Sequence, residues 1–155
     1  MTVLLRPIRD DEFADWLTRM RDGYADDMVR NGGFSAERGK AKAAADVESL
    51  FPGGQPSGEQ FVFVVEAAGE PVGHLWVAER DDTIHRSLFV YELHVEERCR
   101  GRGYGKAAML LAEEEARRRG LARIALNVFG GNAVARGLYL SLGYEEDAVA
   151  MSKRL

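Results

Sequence analysis

Apolar residues recur along the chain in two rhythms. Phe13, Trp16, Leu17 and Met20 lie at i, i+3, i+4 and i+7, one face of a helix running to about Arg30. Asp10 or Asp11 can cap its start, and Asn31-Gly32-Gly33 breaks its end. Ser35 is the N-cap of a second helix, with Ala43, Ala44, Val47, Leu50 and Phe51 along one side. In a third, Ala108, Leu111, Ala112 and Ala116 share a face. Its Glu113, Glu114 and Glu115 each stand four residues before Arg117, Arg118 and Arg119, the favourable orientation for helix ion pairs, and Gly120 is the stop. A fourth helix runs from 133 to about 142, closed by Gly143.

Elsewhere the period shortens to two, or the run is simply apolar and β-branched. Residues 3–8 read as a short strand with Pro7 near its exit. Residues 60–66 and 71–79 are two strands joined by the hairpin Ala67-Ala68-Gly69-Glu70, and a turn over 80–86 leads into a strand at Ser87–Val95. Residues 122–128 form another strand. A last one covers 144–155, with Val149 and Met151 alternating against charge. Three successive strands on short connections imply an antiparallel meander. The helix between Ser87–Val95 and 122–128 implies parallel pairing of those two through a right-handed crossover. The fold class is thus α/β, a mixed sheet in the order β-α-α-β-β-β-α-β-α-β, as one domain over residues 1–155. Residues 52–58 (PGGQPSG) are a loop inside it.

Composition narrows the partners. A chain of 155 residues with 46% hydrophobic and 30% charged residues is an ordinary globule. A net charge of −4 argues against nucleic acid as the partner, despite a local Arg-Gly-Arg-Gly run. One cysteine excludes an intrachain disulfide and suits a reducing cytoplasm. No stretch is long and apolar enough to span a membrane, and the start is too charged for a signal peptide.

The chemistry gathers after Ser87–Val95. Arg98, Arg100, Arg102 and Lys106 interleave with Gly101, Gly103 and Gly105, and the third helix follows at once. N–H groups and the dipole at such a helix start favour anions, and glycines let a phosphate approach the backbone, so a pyrophosphate site is expected. Three patterns compete for it. The P-loop fails, because Arg100 replaces its first glycine and Ala107 its Ser/Thr, the usual Mg²⁺ ligand. A dinucleotide site needs an acid at the end of the next strand, where Ala125-Leu126-Asn127-Val128 stands instead. The third pattern, Q/R-x-x-G-x-G/A, is filled by Arg100, Gly103 and Gly105. A second motif, Asn132-x-x-Ala135-x-x-Leu138-Tyr139-x-x-x-Gly143-Tyr144, lies at the end. With both motifs in order and the element succession over essentially the whole chain, the protein resembles the GCN5-related N-acetyltransferases.

That resemblance implies acetyl-CoA as co-substrate, with no metal, bound where Ser87–Val95 and the 122–128 strand splay apart. Backbone groups of Leu93 and Val95 would hold pantetheine, amides of Arg100, Gly101, Arg102, Gly103, Tyr104, Gly105 and Lys106 the pyrophosphate, and Asn132 would contact pantetheine. Tyr139 would be the general acid that protonates the departing thiolate. The base is open. Relatives that acetylate ribosomal-protein N-termini carry Glu mid-strand where Asn127 stands here, which speaks against that substrate class. Glu92 and His94, at i and i+2, share a sheet face and are the alternatives, beside a chain of waters. His94 has the suitable intrinsic pKa, while Glu92 would need burial. Cys99 is given no acyl-carrying role, since direct transfer needs none. Trp16, Tyr24, Met28 and Phe34 are candidates for the acceptor pocket, walled by the first two helices and the 129–131 turn.

The expected activity is direct transfer of acetyl to a primary amine, a small molecule before a peptide or protein amine. A non-catalytic acyl-CoA-binding module is the alternative. No nucleic acid or membrane partner is expected, and a homodimer is left open.

Overall fold

Strands β1 (Val3–Pro7), β2 (Phe61–Ala67), β3 (Glu70–Arg80), β4 (Ser87–Val95) and β5 (Ile124–Leu126) form one sheet in sequence order. In this computed structural model residues 2–82 and 84–155 are described, so Thr83 of the expected 80–86 turn lies outside them. β1 to β4 pair antiparallel, and β4 pairs β5 in parallel, as the crossover helix requires. Helices α1 (Asp10–Gly32), α2 (Ala36–Leu50), α3 (Tyr104–Arg118) and α4 (Ala133–Ser141) complete the element order.

The sheet is buried on both faces. On one, Ala108, Met109, Ala112 and Ala116 of α3 pack on Val65, Leu75, Val77, Leu88 and Val90. Small residues there let α3 lie close to the strands. Tyr139 of α4 and Leu142 at its C-cap join the edge of the same cluster. On the other face Phe13, Trp16, Leu17 and Met20 of α1, with Val47 of α2 and with Phe51, cover Val62 and Trp76. Trp16, Phe51 and Trp76 meet at centroid separations of 5.1 to 5.7 Å, and Tyr91 stacks on Trp76 at 4.5 Å. Each such pair adds about 0.5–1.5 kcal/mol beyond area burial.

Several ends differ from expectation. Arg9, not an aspartate, is the N-cap of α1: the Glu12 carboxylate accepts the Arg9 N–H at 2.9 Å, and Asp10 and Asp11 fill the first turn, favourable to the dipole. Arg6 also grips Glu12 at 3.0 Å and holds its carboxyl down to about 2. Ser35 caps α2 as expected, accepting from Arg38 N at 3.2 Å, but Ala44 is exposed, the inward side running through Gly39, Ala43, Val47 and Leu50. On α3 the pairs Glu113–Arg117 and Glu115–Arg119 form, whereas Arg118 pairs with Glu115 rather than Glu114. The fifth strand shrinks to three residues, and 145–155 form no strand. So short a β5 offers few partners. Arg136 of α4 also holds Glu146 at 2.5 Å, and Val149 and Met151 are exposed.

The β3–β4 ladder is not regular throughout. Its register shifts between Trp76 and Val77: Val77 pairs Val90 and Trp76 pairs Glu92, leaving Tyr91 as the extra residue of a β-bulge. Beyond it the two strands close tightly at Gly73, where an added Cβ would sit 2.1 Å from the His94 carbonyl oxygen and 3.2 Å from Val95 Cα. Both neighbours are backbone, so Gly73→Ala must part the strands. A loss of about 1–3 kcal/mol or more is expected in urea unfolding, by the usual cost of overpacking; a variant as stable as wild type would contradict this geometry.

Candidate functional site

β4 outruns its partner. Its last pair with β5 is Val90–Leu126, and residues 91–95 continue with no strand on that side. Two hydrogen bonds fix where their backbone groups point. Leu88 N–H donates to the Arg123 carbonyl at 3.0 Å, toward β5, whereas Glu96 N–H donates to the Val72 carbonyl at 2.9 Å, toward β3. Counting back from Glu96 in twos, His94 and Glu92 bond toward β3, so Leu93 and Val95 turn their N–H and C=O groups into the gap beside β5. These are the two residues expected to meet a pantetheine arm.

The gap ends at the glycine-rich turn. A single helical turn (Glu97–Cys99) follows Glu96, then Gly101 and Gly103 adopt φ of 76° and 83°, left-handed values that cost glycine little. Gly103 is the N-cap of α3, and its carbonyl takes the first helical bond, from Ala107 N–H at 3.0 Å. The N–H groups of Gly105 and Lys106 have no acceptor within the helix and face its N-terminal end. Among the described residues, none beyond the adjoining ones comes within 4 Å of where a Cβ of Gly101 or Gly103 would be. This bare concave backbone, rimmed by exposed Arg98, Arg102 and Lys106, fits the pyrophosphate of CoA.

Three expected contributors are qualified. Arg100 N–H already donates to Glu97 at 3.2 Å, and its guanidinium donates to the Val95 carbonyl at 3.0 Å, so the open cradle begins at Gly101. The Tyr104 ring is buried in the α3 cluster, leaving only its main chain at the turn. Gly105 is a packing residue: its Cβ would touch Leu138, Val95 and Leu93 side chains at 3.6 to 3.9 Å. The same contacts bring α4 against the end of β4.

The titratable groups divide between the two sheet faces. Glu92 faces α1, where its Oε1 accepts from Trp16 Nε1 at 3.2 Å and from Arg19 Nη2 at 3.1 Å. Among the described residues none hydrogen-bonds Oε2, and the Glu92 side chain keeps 17% exposure. Burial pushes the Glu92 carboxyl up, and Arg19 and Trp16 partly reverse this. His94, on the same face, is pushed down by burial and by Arg19; its Nε2 lies 3.7 Å from Glu96 Oε1. Tyr139 is on the other side, with the α3 cluster, its ring 5.8 Å from Tyr144. Burial and the charge of Asp27 push its hydroxyl up, so it keeps its proton at neutral pH. Asn132 caps α4 by accepting Ala135 N–H at 3.2 Å.

Sequence reasoning did not find Arg19, His74 or Gly73. His74 stands opposite His94, with Nδ1 3.5 Å from Arg19 Nη2. Nothing in the spacing of α1 singles out Arg19, since it lies just off the apolar stripe. Among the proposed pocket residues, Trp16 and Met28 are core, 2% and 0% exposed. Tyr24 donates to Asp46 at 2.9 Å and joins α1 to α2, while Phe34 lies under Arg38. The 129–131 turn does reach α1, with Phe129 against Gly32 and Gly131 against the Asn31 backbone.

Comparison with known proteins agrees with this architecture. Residues 12–144 match the model of the Acetyltransferase (GNAT) family. Over 156 residues the chain is 30% identical to YycN, an uncharacterised N-acetyltransferase of Bacillus subtilis, covering 100% of both. The crystal structure of YycN superposes with a TM-score of 0.90 over 99% of each chain. A second B. subtilis protein, the uncharacterised N-acetyltransferase YdgE, is 27% identical over 100% of this chain and 99% of its own. The aminoglycoside N-acetyltransferase AAC(6′)-Iy in complex with CoA shares the fold at 18% identity, with a TM-score of 0.63 over 98% of each chain.

The histidines give the site a pH signature. Burial, with Arg19 and His94, holds His74 down to about 4 from an ordinary 6.5. Between those values the unfolded chain binds a proton that the folded one refuses, so stability is full above 6.5 and falls as pH drops toward 4. His74→Gln should flatten that fall in urea unfolding at successive pH values. A variant with the wild-type slope would exclude His74 as its source.

Proposed function

The chain belongs to the acetyltransferase (GNAT) family, and on that premise we propose that it moves the acetyl group of acetyl-CoA to a primary amine by direct attack. One observation carries the proposal: Leu93 and Val95 aim their backbone groups into a gap that ends at the bare N-terminus of α3. A small-molecule amine is the first choice of acceptor and a peptide or protein amine the second. Asn127, in place of the Glu of the ribosomal-protein branch, supports that order.

Acetyl-CoA supplies an acetyl group activated as a thioester. Amides of Gly101, Arg102, Gly103, Gly105 and Lys106 hold its pyrophosphate at the helix dipole. The main-chain groups of Leu93 and the N–H of Val95 bind the pantetheine arm as an added strand, the Val95 carbonyl being held by Arg100, beside the Asn132 cap of α4. Leu93 N–H, already oriented, polarises the acyl carbonyl. Glu92 Oε2 takes the proton of the incoming ammonium, with His94 two residues along as the second choice. Tyr139, protonated at neutral pH, donates to the departing sulfur. Base and acid thus approach from opposite sheet faces, with the strand edge between them.

Free-thiol release from acetyl-CoA over an amine panel tests the activity, and binding of CoA without turnover would favour the sensing module instead. Gly103→Val should abolish CoA-induced thermal stabilisation while the apo protein stays folded, because valine is strained at φ 83° and its branches fill the cradle. Stabilisation equal to wild type would remove the phosphate site. Tyr139→Phe should lower kcat by about 10²-fold, the lower end for general acids, since a thiolate of pKa about 8.5 leaves readily. KM for acetyl-CoA should hardly change. Wild-type turnover with chemistry limiting would reduce Tyr139 to packing.

A further inference from the structure

Glu92, His74 and His94 stand together on the α1 side of β3 and β4: His74 lies opposite His94, and Glu92 is two residues before it. One guanidinium serves all three. Arg19, on α1, sets Nη2 3.1 Å from Glu92 Oε1 and 3.5 Å from His74 Nδ1, and its charge acts on His94 as well. We propose that Arg19 is a positioning residue that holds Glu92 as an oriented carboxylate and keeps His74 and His94 uncharged, so that Glu92 rather than a histidine receives the amine proton. This rests on the reading of Glu92 as base.

Orientation comes first. Trp16 and Arg19 both donate to Oε1, which leaves Oε2 as the open lone-pair site. The Trp16 ring is fixed within the aromatic cluster, so the carboxylate is referenced to the core on one donor and to the charge on the other. Charge comes second. A buried carboxyl tends toward its neutral form and would then be no base; a cation at hydrogen-bond distance favours the ionised form and offsets part of the burial at Glu92. The same cation opposes a proton on either imidazole. The other charges facing the group act less directly. Glu12 on α1 and Glu96 just past β4 favour a charged His74, and Glu96 favours a charged His94 too, while Arg100 adds to Arg19 against it. Burial weighs against protonation of both rings.

Protein labelled with ¹³C at the Glu carboxyl and at His Cε1 gives the test by NMR titration, with Glu92→Gln, His74→Gln and His94→Gln used for assignment. Arg19→Gln keeps a donor for Glu92 but removes the charge. In it the Glu92 midpoint should rise by about 1–3 pH units, the usual effect of an adjacent opposite charge, and both histidine midpoints should rise too. Arg19→Lys, which restores charge, should bring all three back toward wild type. Midpoints unmoved in Arg19→Gln would overturn the role of Arg19 while leaving Glu92 standing as base. Should Arg19→Gln not fold, Glu92→Gln serves: the charge of Arg19 is then uncompensated, both histidine midpoints should fall, and unmoved midpoints overturn the proposal. Turnover is read separately. Full activity of Glu92→Gln would overturn Glu92 as base, and with it this role for Arg19, whatever the midpoints show.

Discussion

Between Val90 and Glu92 the fourth strand carries one residue more than its neighbour can pair, and that surplus reverses both alternations of the strand. Before the bulge, Leu88 and Val90 pack toward α3 and bond toward β5. In strict alternation Glu92 would join them on the α3 face. Tyr91 takes the extra place, so Tyr91 and Glu92 both face α1: one stacks on Trp76, the other accepts from Trp16. From there on, Leu93 and Val95 present backbone to the gap, while Glu92 and His94 present side chains to α1. A single shift of register thus separates a main-chain edge without a strand partner from a titratable face.

Glu92 is placed where a purely structural design would put an apolar residue. Its neighbours are Trp16 and the aromatic cluster, and removing a carboxylate from water costs several kcal/mol before any partner compensates. Well-packed hydrophobic residues often replace such a buried pair at no loss of stability. Arg19 and Trp16 both donate to the same oxygen. Paired histidines that resist protonation lie beside it, against a sheet end drawn tight at Gly73. The cluster therefore carries an electrostatic cost that packing alone does not require.

The glycines around the site answer different demands. Gly101 and Gly103 supply left-handed turns and leave open space over the backbone. Gly105 lets α3 sit near Leu138 and the end of β4, and Gly73 lets two backbones nearly touch. Together they bring the end of β4, the start of α3 and the middle of α4 to one point, each held by backbone rather than by a flexible side chain.

Local pattern was enough for the elements and for the turn. The helix face of α1, the Ser35 cap, the span of β4 and its parallel pairing with β5 all follow from spacing and short-range sterics, which the sequence states directly, whereas on α3 Met109 takes the buried place expected of Leu111. Two motifs sufficed to point to the family. What spacing could not give depends on other parts of the chain. The tail alternates like a strand, but a strand needs an edge, and three residues of β5 with Arg136 holding Glu146 do not provide one. Trp16 and Met28 look equally suited to a pocket or a core, and only the packing of α1 on the sheet buries them. Arg19 meets Glu92 across 73 residues, and His74 meets His94 across the β3–β4 pairing. Neither contact has a periodicity of its own. The sequence by itself determined the four helices, the meander and the glycine-rich turn; the bulge at Tyr91 and the docking of α1 decided which side chains share a field, because charge interactions follow distance in space and not distance along the chain.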